Sequence, residues 1–149
     1  MSGPMPAGLP VLVLDTNIVL DLFVYEDPAT VPLRELLSDA STCWFATAPM
    51  REELRRVLAY PQVFKRMDAR CLSAEAVMAN FDTRAQLVDV APKAPFTCKD
   101  PDDQKFIDLA AAHCACLLSK DAAVLRMARR MERLGVRISR QWPAHGPAA

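Results

Sequence analysis

The chain has 149 residues and a mass of 16.5 kDa, a size that suits one domain burying roughly 68–70% of the surface its unfolded form exposes. Hydrophobic residues make up 52%, charged residues 24%, and mean hydropathy is +0.07, a composition that excludes a disordered polyelectrolyte. The 18 basic and 18 acidic residues cancel, but residues 15–53 hold eight acids and two bases, whereas 126–140 hold six arginines and one acid. Neutrality therefore hides a dipole.

Several chemistries are absent. The four glycines stand at 3, 8, 135 and 146, which excludes a Walker loop and a dinucleotide fingerprint. With only His113 and His145, histidine-rich zinc sites are not expected, and no serine lies in a G-x-S-x-G elbow. The cysteines at 43, 71, 98, 114 and 116 form no C-x-x-C and are expected to be reduced, buried small hydrophobes. No apolar run reaches the roughly 18 residues of a membrane span, and Met1 to Pro10 lacks a basic and an apolar leader region, so a cytoplasmic chain is expected.

In chain order, Val11-Leu12-Val13-Leu14 reads as a strand buried on both faces of a parallel sheet. Helices are expected over about 17–25 and 31–39, the second with Thr30 as cap and Pro32 in its first turn. Residues 42–46 read as the second strand. A helix capped near Thr47 follows, with Met50, Leu54, Val57 and Leu58 on one side until Pro61 stops it. Residues 61–84 read as two helical pieces, the latter opening at Ser73, and 86–90 as the third strand. The three prolines at 92, 95 and 101 mark a long loop. A helix over about 102–114, a strand over 116–119, a helix over 121–134 closed by Gly135, and a fifth strand over 136–139 complete the pattern. Residues 1–9 and 141–149 read as loose tails around a single domain core of about 10–140.

Strands alternating with helices imply right-handed crossovers and a parallel sheet covered on both faces. Ligands of such sheets bind beyond the carboxyl ends of the strands, where strand order reverses. Asp15 and Asp121 each follow a strand and precede a helix; either alone is explained as an N-cap. At about 100° per residue, Glu53 falls inside the apolar stripe of its helix, while Glu52 points away and has Arg56 four residues on as a surface partner. Burying a carboxylate costs several kcal/mol unless it meets a partner or a metal, which makes Glu53 the candidate. Asp103 likewise shares a face with Phe106, Ile107, Ala110, Ala111 and Cys114, whereas Asp102 serves as a cap and Asp108 points to solvent. Asp100, in the loop, is a helper.

Asp15, Glu53, Asp103 and Asp121 are thus expected to converge on the carboxyl-end crevice. Four anions there need compensation, and without histidine or thiolate patterns the oxygen-preferring Mg²⁺ or Mn²⁺ is the expected cofactor, as one or two ions. Such ions polarise a phosphoryl oxygen and activate water for in-line attack, the chemistry of phosphodiester hydrolysis.

Four blocks carry these acids: Asp15-Thr16-Asn17 after an apolar strand, the run from Arg51 to Leu58, the run from Lys99 to Phe106, and the run from Leu117 to Asp121. Together, over about residues 10–140, they resemble the PIN-domain family and, within it, toxin components of bacterial toxin-antitoxin systems. The resemblance implies a three-layer α/β/α fold with a five-stranded parallel sheet in the order 3-2-1-4-5. It also implies a metal-dependent endoribonuclease whose catalytic and metal-binding quartet falls on Asp15, Glu53, Asp103 and Asp121. Asn17 would orient Asp15, and Ser119 would hold water or phosphate. A protein antitoxin and a homodimer are further implications. The chain departs from the pattern at Ala123, where relatives often carry another acid, so the number of ions stays open.

Arg126, Arg129 and Arg130 offer contacts to RNA phosphates. Single-stranded RNA fits a narrow acidic crevice better than a duplex does. Two other readings are weighed. One is a catalytically silent PIN-like module that binds protein or RNA, which Ala123 keeps open. The other is a receiver-like or dehalogenase-like phosphotransfer domain, which needs Asp-x-Asp after the first strand; residue 17 is Asn.

Overall fold

A computed structural model describes residues 11–143. Residues 1–10 and 144–149 lie outside it, and with them the expected tail over 1–9 and most of that over 141–149. Of the latter, Trp142 is described and packs against the core instead of hanging free.

Five strands form one all-parallel sheet: β1 (Val11–Leu14), β2 (Cys43–Ala46), β3 (Ala85–Leu87), β4 (Cys116–Leu118) and β5 (Arg137–Ser139). Their order is β3-β2-β1-β4-β5, as expected. Leu12 and Val13 in β1 and Leu117 and Leu118 in β4 are fully buried, because both faces of these central strands are covered by helices. The helices are α1 (Thr16–Phe23), α2 (Val31–Leu37), α3 (Ala48–Val57), α4 (Pro61–Ala69), α5 (Ala74–Arg84), α6 (Gln104–His113), α7 (Ala122–Leu125) and α8 (Ala128–Glu132), with 3-10 turns over Pro28–Thr30 and Pro101–Asp103. The result is a three-layer α/β/α sandwich. No described helix is long and apolar enough to cross a membrane.

Chain direction reverses its walk across the sheet at β1. The path β1→β2→β3 steps to one side and β4→β5 to the other, so β1 and β4 are neighbours with registers Leu12↔Cys116, Val13↔Leu117 and Leu14↔Leu118. The amide of Asp15 continues this ladder to the carbonyl of Leu118 at 2.9 Å, and that of Ser119 does so to Ser139 at 3.0 Å. The crevice beyond these ends is the switch point of a doubly wound sheet. Trp44 anchors the core on the other side, edge-on to Phe81 at 5.2 Å between ring centroids and tilted to Phe23 at 6.1 Å.

Several local expectations are corrected. The helix expected over 121–134 is two short helices, since the Met127 amide bonds Val124 three residues back and tightens the chain into a turn. Val124, Met127 and Met131 are all buried across that turn, so the apolar spacing does not register it. The third strand starts at Ala85, directly out of α5, and its pairing ends with Val88 on Ala46, not at Val90. Thr30 does not cap α2 through its side chain; its hydroxyl donates to the Asp27 carbonyl at 2.6 Å. All five cysteines are free thiols, but only Cys98 and Cys116 are buried; Cys71 and Cys114 are exposed at left-handed positions with φ of 56° and 49°. Glu52 pairs with Arg55 instead of Arg56, with Nη2 and Oε2 2.7 Å apart.

Gly135 closes α8 as expected. Its φ is +77°, and the Val136 amide bonds back to Met131 at 3.1 Å, a Schellman closure. A Cβ there would meet the Cys114 side chain, Sγ at 3.5 Å and Cβ at 3.6 Å, both ordinary contacts, so the cost of substitution is conformational. Gly135→Ala is expected to cost about 1 kcal/mol, a fall of about 2–4 °C in Tm, and Gly135→Asn less, because Asn tolerates the left-handed region. Thermal melts of the two variants against wild type check the order.

Candidate functional site

The site begins where β1 and β4 end. Asp15 is 4% exposed, and its Oδ2 accepts a 2.6 Å hydrogen bond from Ser119 Oγ, a residue with no exposed surface. The same hydroxyl accepts the Asp121 amide at 3.0 Å. Asp121 Oδ1 in turn accepts the Ala123 amide at 2.8 Å, the N-cap geometry foreseen for it. Asp15, by contrast, makes no side-chain cap on α1, because its carboxylate is turned across to β4.

The long loop delivers the next two acids. Gln104 and Asp108, one turn apart on α6, clamp it: Gln104 donates to the Phe96 carbonyl at 3.1 Å and accepts the Cys98 amide at 2.6 Å, while Asp108 accepts the Ala94 amide and the Gln104 side chain, both at 2.8 Å. Asp108 is therefore half-buried and structural, not solvated as expected. Pro101 then opens the 3-10 turn, Asp100 Oδ1 caps it by accepting the Asp102 amide at 3.0 Å, and Asp103 turns inward, 8% exposed. One carboxylate oxygen from each of Asp100, Asp103 and Asp121 lies within 4.8 Å of the others.

Glu53 reaches the same crevice from α3, half-buried, and both of its oxygens are engaged. Oε2 accepts Thr16 Oγ1 at 2.5 Å, and Oε1 is ion-paired with Lys105 Nζ. All four expected acids, Asp15, Glu53, Asp103 and Asp121, line one cleft of about 850 Å³ together with Asn17, Arg56, Tyr60, Lys105 and Lys120. Lys120 is held by the buried Asp21, with Nζ and Oδ2 2.6 Å apart.

Electrostatics follow from this crowding. Burial pushes the Asp15 carboxyl above its ordinary range; the Ser119 hydrogen bond opposes the shift, and the charges of Glu53 and Asp121 add to it. Asp103 is pushed up to about 7, first by burial, then by the charges of Asp15 and Asp121, by a side-chain hydrogen bond with Asp121 that favours the protonated form, and by the charge of Asp100. Its Oδ2 is buried with no hydrogen-bond partner among the described residues. An orphaned carboxylate oxygen costs stability unless a cation meets it. Oxygen-only donors, three within mutual reach and one orphaned, fit a hard divalent ion such as Mg²⁺ or Mn²⁺.

Other expected residues have different surroundings. Asn17 is exposed on the cleft wall and makes no side-chain hydrogen bond to Asp15 among the described residues; Ser119 orients Asp15 instead. Ser119 has no exposed surface, and its hydroxyl gives its one proton to Asp15 while accepting the Asp121 amide, so it has no donor left for the expected water or phosphate oxygen. Arg126, Arg129 and Arg130 are exposed but do not line the cleft, for α7 and α8 return the chain from the carboxyl edge of β4 toward the start of β5. The cleft cations are Arg56, Lys105 and Lys120. Sequence reasoning missed Thr16, Lys105, Gln104 and Asp21. The Gln104/Asp108 spacing and the lone acid at 21 in an apolar helix were the available signals.

A family model described as PIN domain matches residues 11–123, more than half of the chain. No curated protein matches it significantly.

The raised Asp103 carboxyl has a stability consequence of definite sign. Between its ordinary 3.8 and about 7, the folded chain keeps a proton that the unfolded chain has released, so without divalent ions stability falls as pH rises through that window. Asp103→Asn removes the penalty. In chelator its Tm gain over wild type is expected to be larger at pH 8 than at pH 4; equal gains in thermal melts at the two pH values would contradict the assignment.

Proposed function

The chain belongs to the PIN-domain family, and from that membership and the convergence of its acids we propose that it is a Mg²⁺- or Mn²⁺-dependent endoribonuclease cleaving single-stranded RNA, the toxin component of a toxin-antitoxin pair. PIN domains are commonly nucleases, typically bind divalent ions and commonly act on RNA. The observation that carries the reading is Asp103, which has a carboxylate oxygen within 4.8 Å of those of Asp100 and Asp121 and a buried, unpartnered Oδ2.

Asp100, Asp103 and Asp121 would hold the ion, with Asp15 adjacent as a further ligand directly or through water. The ion supplies polarisation of a phosphoryl oxygen and acidification of a water at neutral pH. The protein's own part is pre-organisation. Ser119 fixes Asp15, and the Ala123 amide fixes Asp121. The α6 clamp on the long loop sets Asp100 and Asp103. Arg56 and Lys120 present positive charge along the wall, and the half-exposed ring of Tyr60 at the rim offers a stacking surface for a base. An open strand can lay its backbone into this cleft, where a duplex would meet the walls. Arg126, Arg129 and Arg130 would contact phosphates beyond the cleft.

The toxin role, the protein antitoxin and the homodimer rest on the likeness of the four acidic blocks to toxin components. A catalytically silent binding module is the second reading. Ala123 favours it, since α7 brings no further acid to the site.

Single-stranded RNA incubated with the protein and Mn²⁺ is expected to be cut internally, with cleavage abolished by chelator. Asp103→Asn and Asp121→Asn are expected to lower the rate about 100-fold or more while circular dichroism stays native. Undiminished cleavage in both variants refutes the site, and no cleavage by the folded wild type with either ion selects the silent module.

A further inference from the structure

The cleft contains two centres of negative charge, and only one is open. Asp100, Asp103 and Asp121 bring three carboxylate oxygens within 4.8 Å of one another, with Asp103 Oδ2 unpartnered. Glu53 stands outside that group. Its two oxygens are taken by Thr16 Oγ1 and by Lys105 Nζ, so the charge it contributes is already met by a resident cation.

Lys105 is held in place from three sides. Its ammonium pairs with Glu53 Oε1, donates to the Asp102 carbonyl at 2.5 Å and lies 4.9 Å from the centroid of the Phe106 ring. An ammonium has three N–H groups, and two are engaged by these oxygens; the third meets no acceptor among the described residues. The side chain is 24% exposed and lines the cleft that contains the acid triplet. Ala123, at the start of α7, supplies no acid that would help assemble a second ion site.

We propose that the Lys105 ammonium occupies the role of a second divalent ion: the site takes one metal, Lys105 contributes the other positive charge to a non-bridging phosphate oxygen, and Glu53, locked by Thr16, is a positioning residue for Lys105 and not a metal ligand. This rests on the nuclease reading above. A lysine is suited to the task, being a compact point charge that meets phosphate without demanding a coordination geometry. It also explains how Glu53 can sit half-buried close to Asp15, since Lys105 meets its charge.

The test counts ions. Manganese titration of the full chain at pH 8, read by electron paramagnetic resonance and calorimetry, is expected to give one bound Mn²⁺ per chain, lost in Asp103→Asn. Lys105→Met keeps the apolar stem over Phe106 and is expected to fold, as melting will check. It frees Glu53 beside Asp15, and two bound Mn²⁺ are expected. Lys105→Arg retains the charge and is expected to stay at one. With manganese held at one equivalent per chain, affinity for a cleavage-resistant 2′-O-methyl single-stranded oligonucleotide should fall about tenfold in Lys105→Met and recover when manganese is raised. Two ions on the wild type, or a single ion on Lys105→Met, overturns the proposal. Manganese binding that survives Asp103→Asn undiminished instead overturns the metal-site reading beneath it.

Discussion

Two strands far apart in sequence end side by side, and a single hydroxyl ties their ends together. Ser119 Oγ, at the close of β4, bonds the carboxylate that closes β1, across 104 positions of sequence, and accepts the amide that presents Asp121. That arrangement exists because β1 lies in the middle of the sheet, with the chain winding away from it in both directions. A crevice opens where winding reverses, and polar groups at these strand ends can face it without disrupting the apolar layers on either side.

Concentrating acids at such a place works against folding. Burial and mutual repulsion push Asp15 and Asp103 toward their neutral forms, and Asp103 keeps an orphaned oxygen. The protein compensates locally: Lys105 meets Glu53, Lys120 meets the buried Asp21, and backbone amides cap Asp100 and Asp121. What is left uncompensated is the Asp103 neighbourhood. A defect of this kind beside a dense apolar core is one that a bound cation would relieve, since its charge would offset repulsion the folded chain already bears.

Different features of the molecule left different traces in the sequence. The continuous apolar runs of β1 and β4 identified central strands because double-sided burial removes polar residues altogether. Helical phase turned Glu53 inward, since a 100° step decides which side of a helix is wet, and the same reasoning picked out Asp103, although that residue closes the 3-10 turn just ahead of α6. Phase did not reveal what these acids touch. Glu53 meets Thr16 and Lys105 from two other elements, and Asp108, on the face judged wet, is covered by a loop folded back over α6. The turn at Met127 was equally hidden, because the buried residues on both sides keep helical spacing. Exposed Cys71 and Cys114 occupy left-handed turns usually given to glycine, a choice that composition rules do not foresee in a chain so poor in glycine.

Local pattern by itself determined the class of fold, the strand order through the resemblance of four short blocks, and the set of acids that turn toward one edge of the sheet. These depend on periodicity and on residues at element ends, which short segments encode directly. Only the tertiary structure decided how the acids divide: Asp100 joins Asp103 and Asp121, while Glu53 is claimed by a lysine and Ser119 spends its hydroxyl inside the protein. Such partnerships join side chains from separate elements. They are settled by where a loop or helix end comes to rest within a few ångströms, a distance that spacing along a chain does not carry.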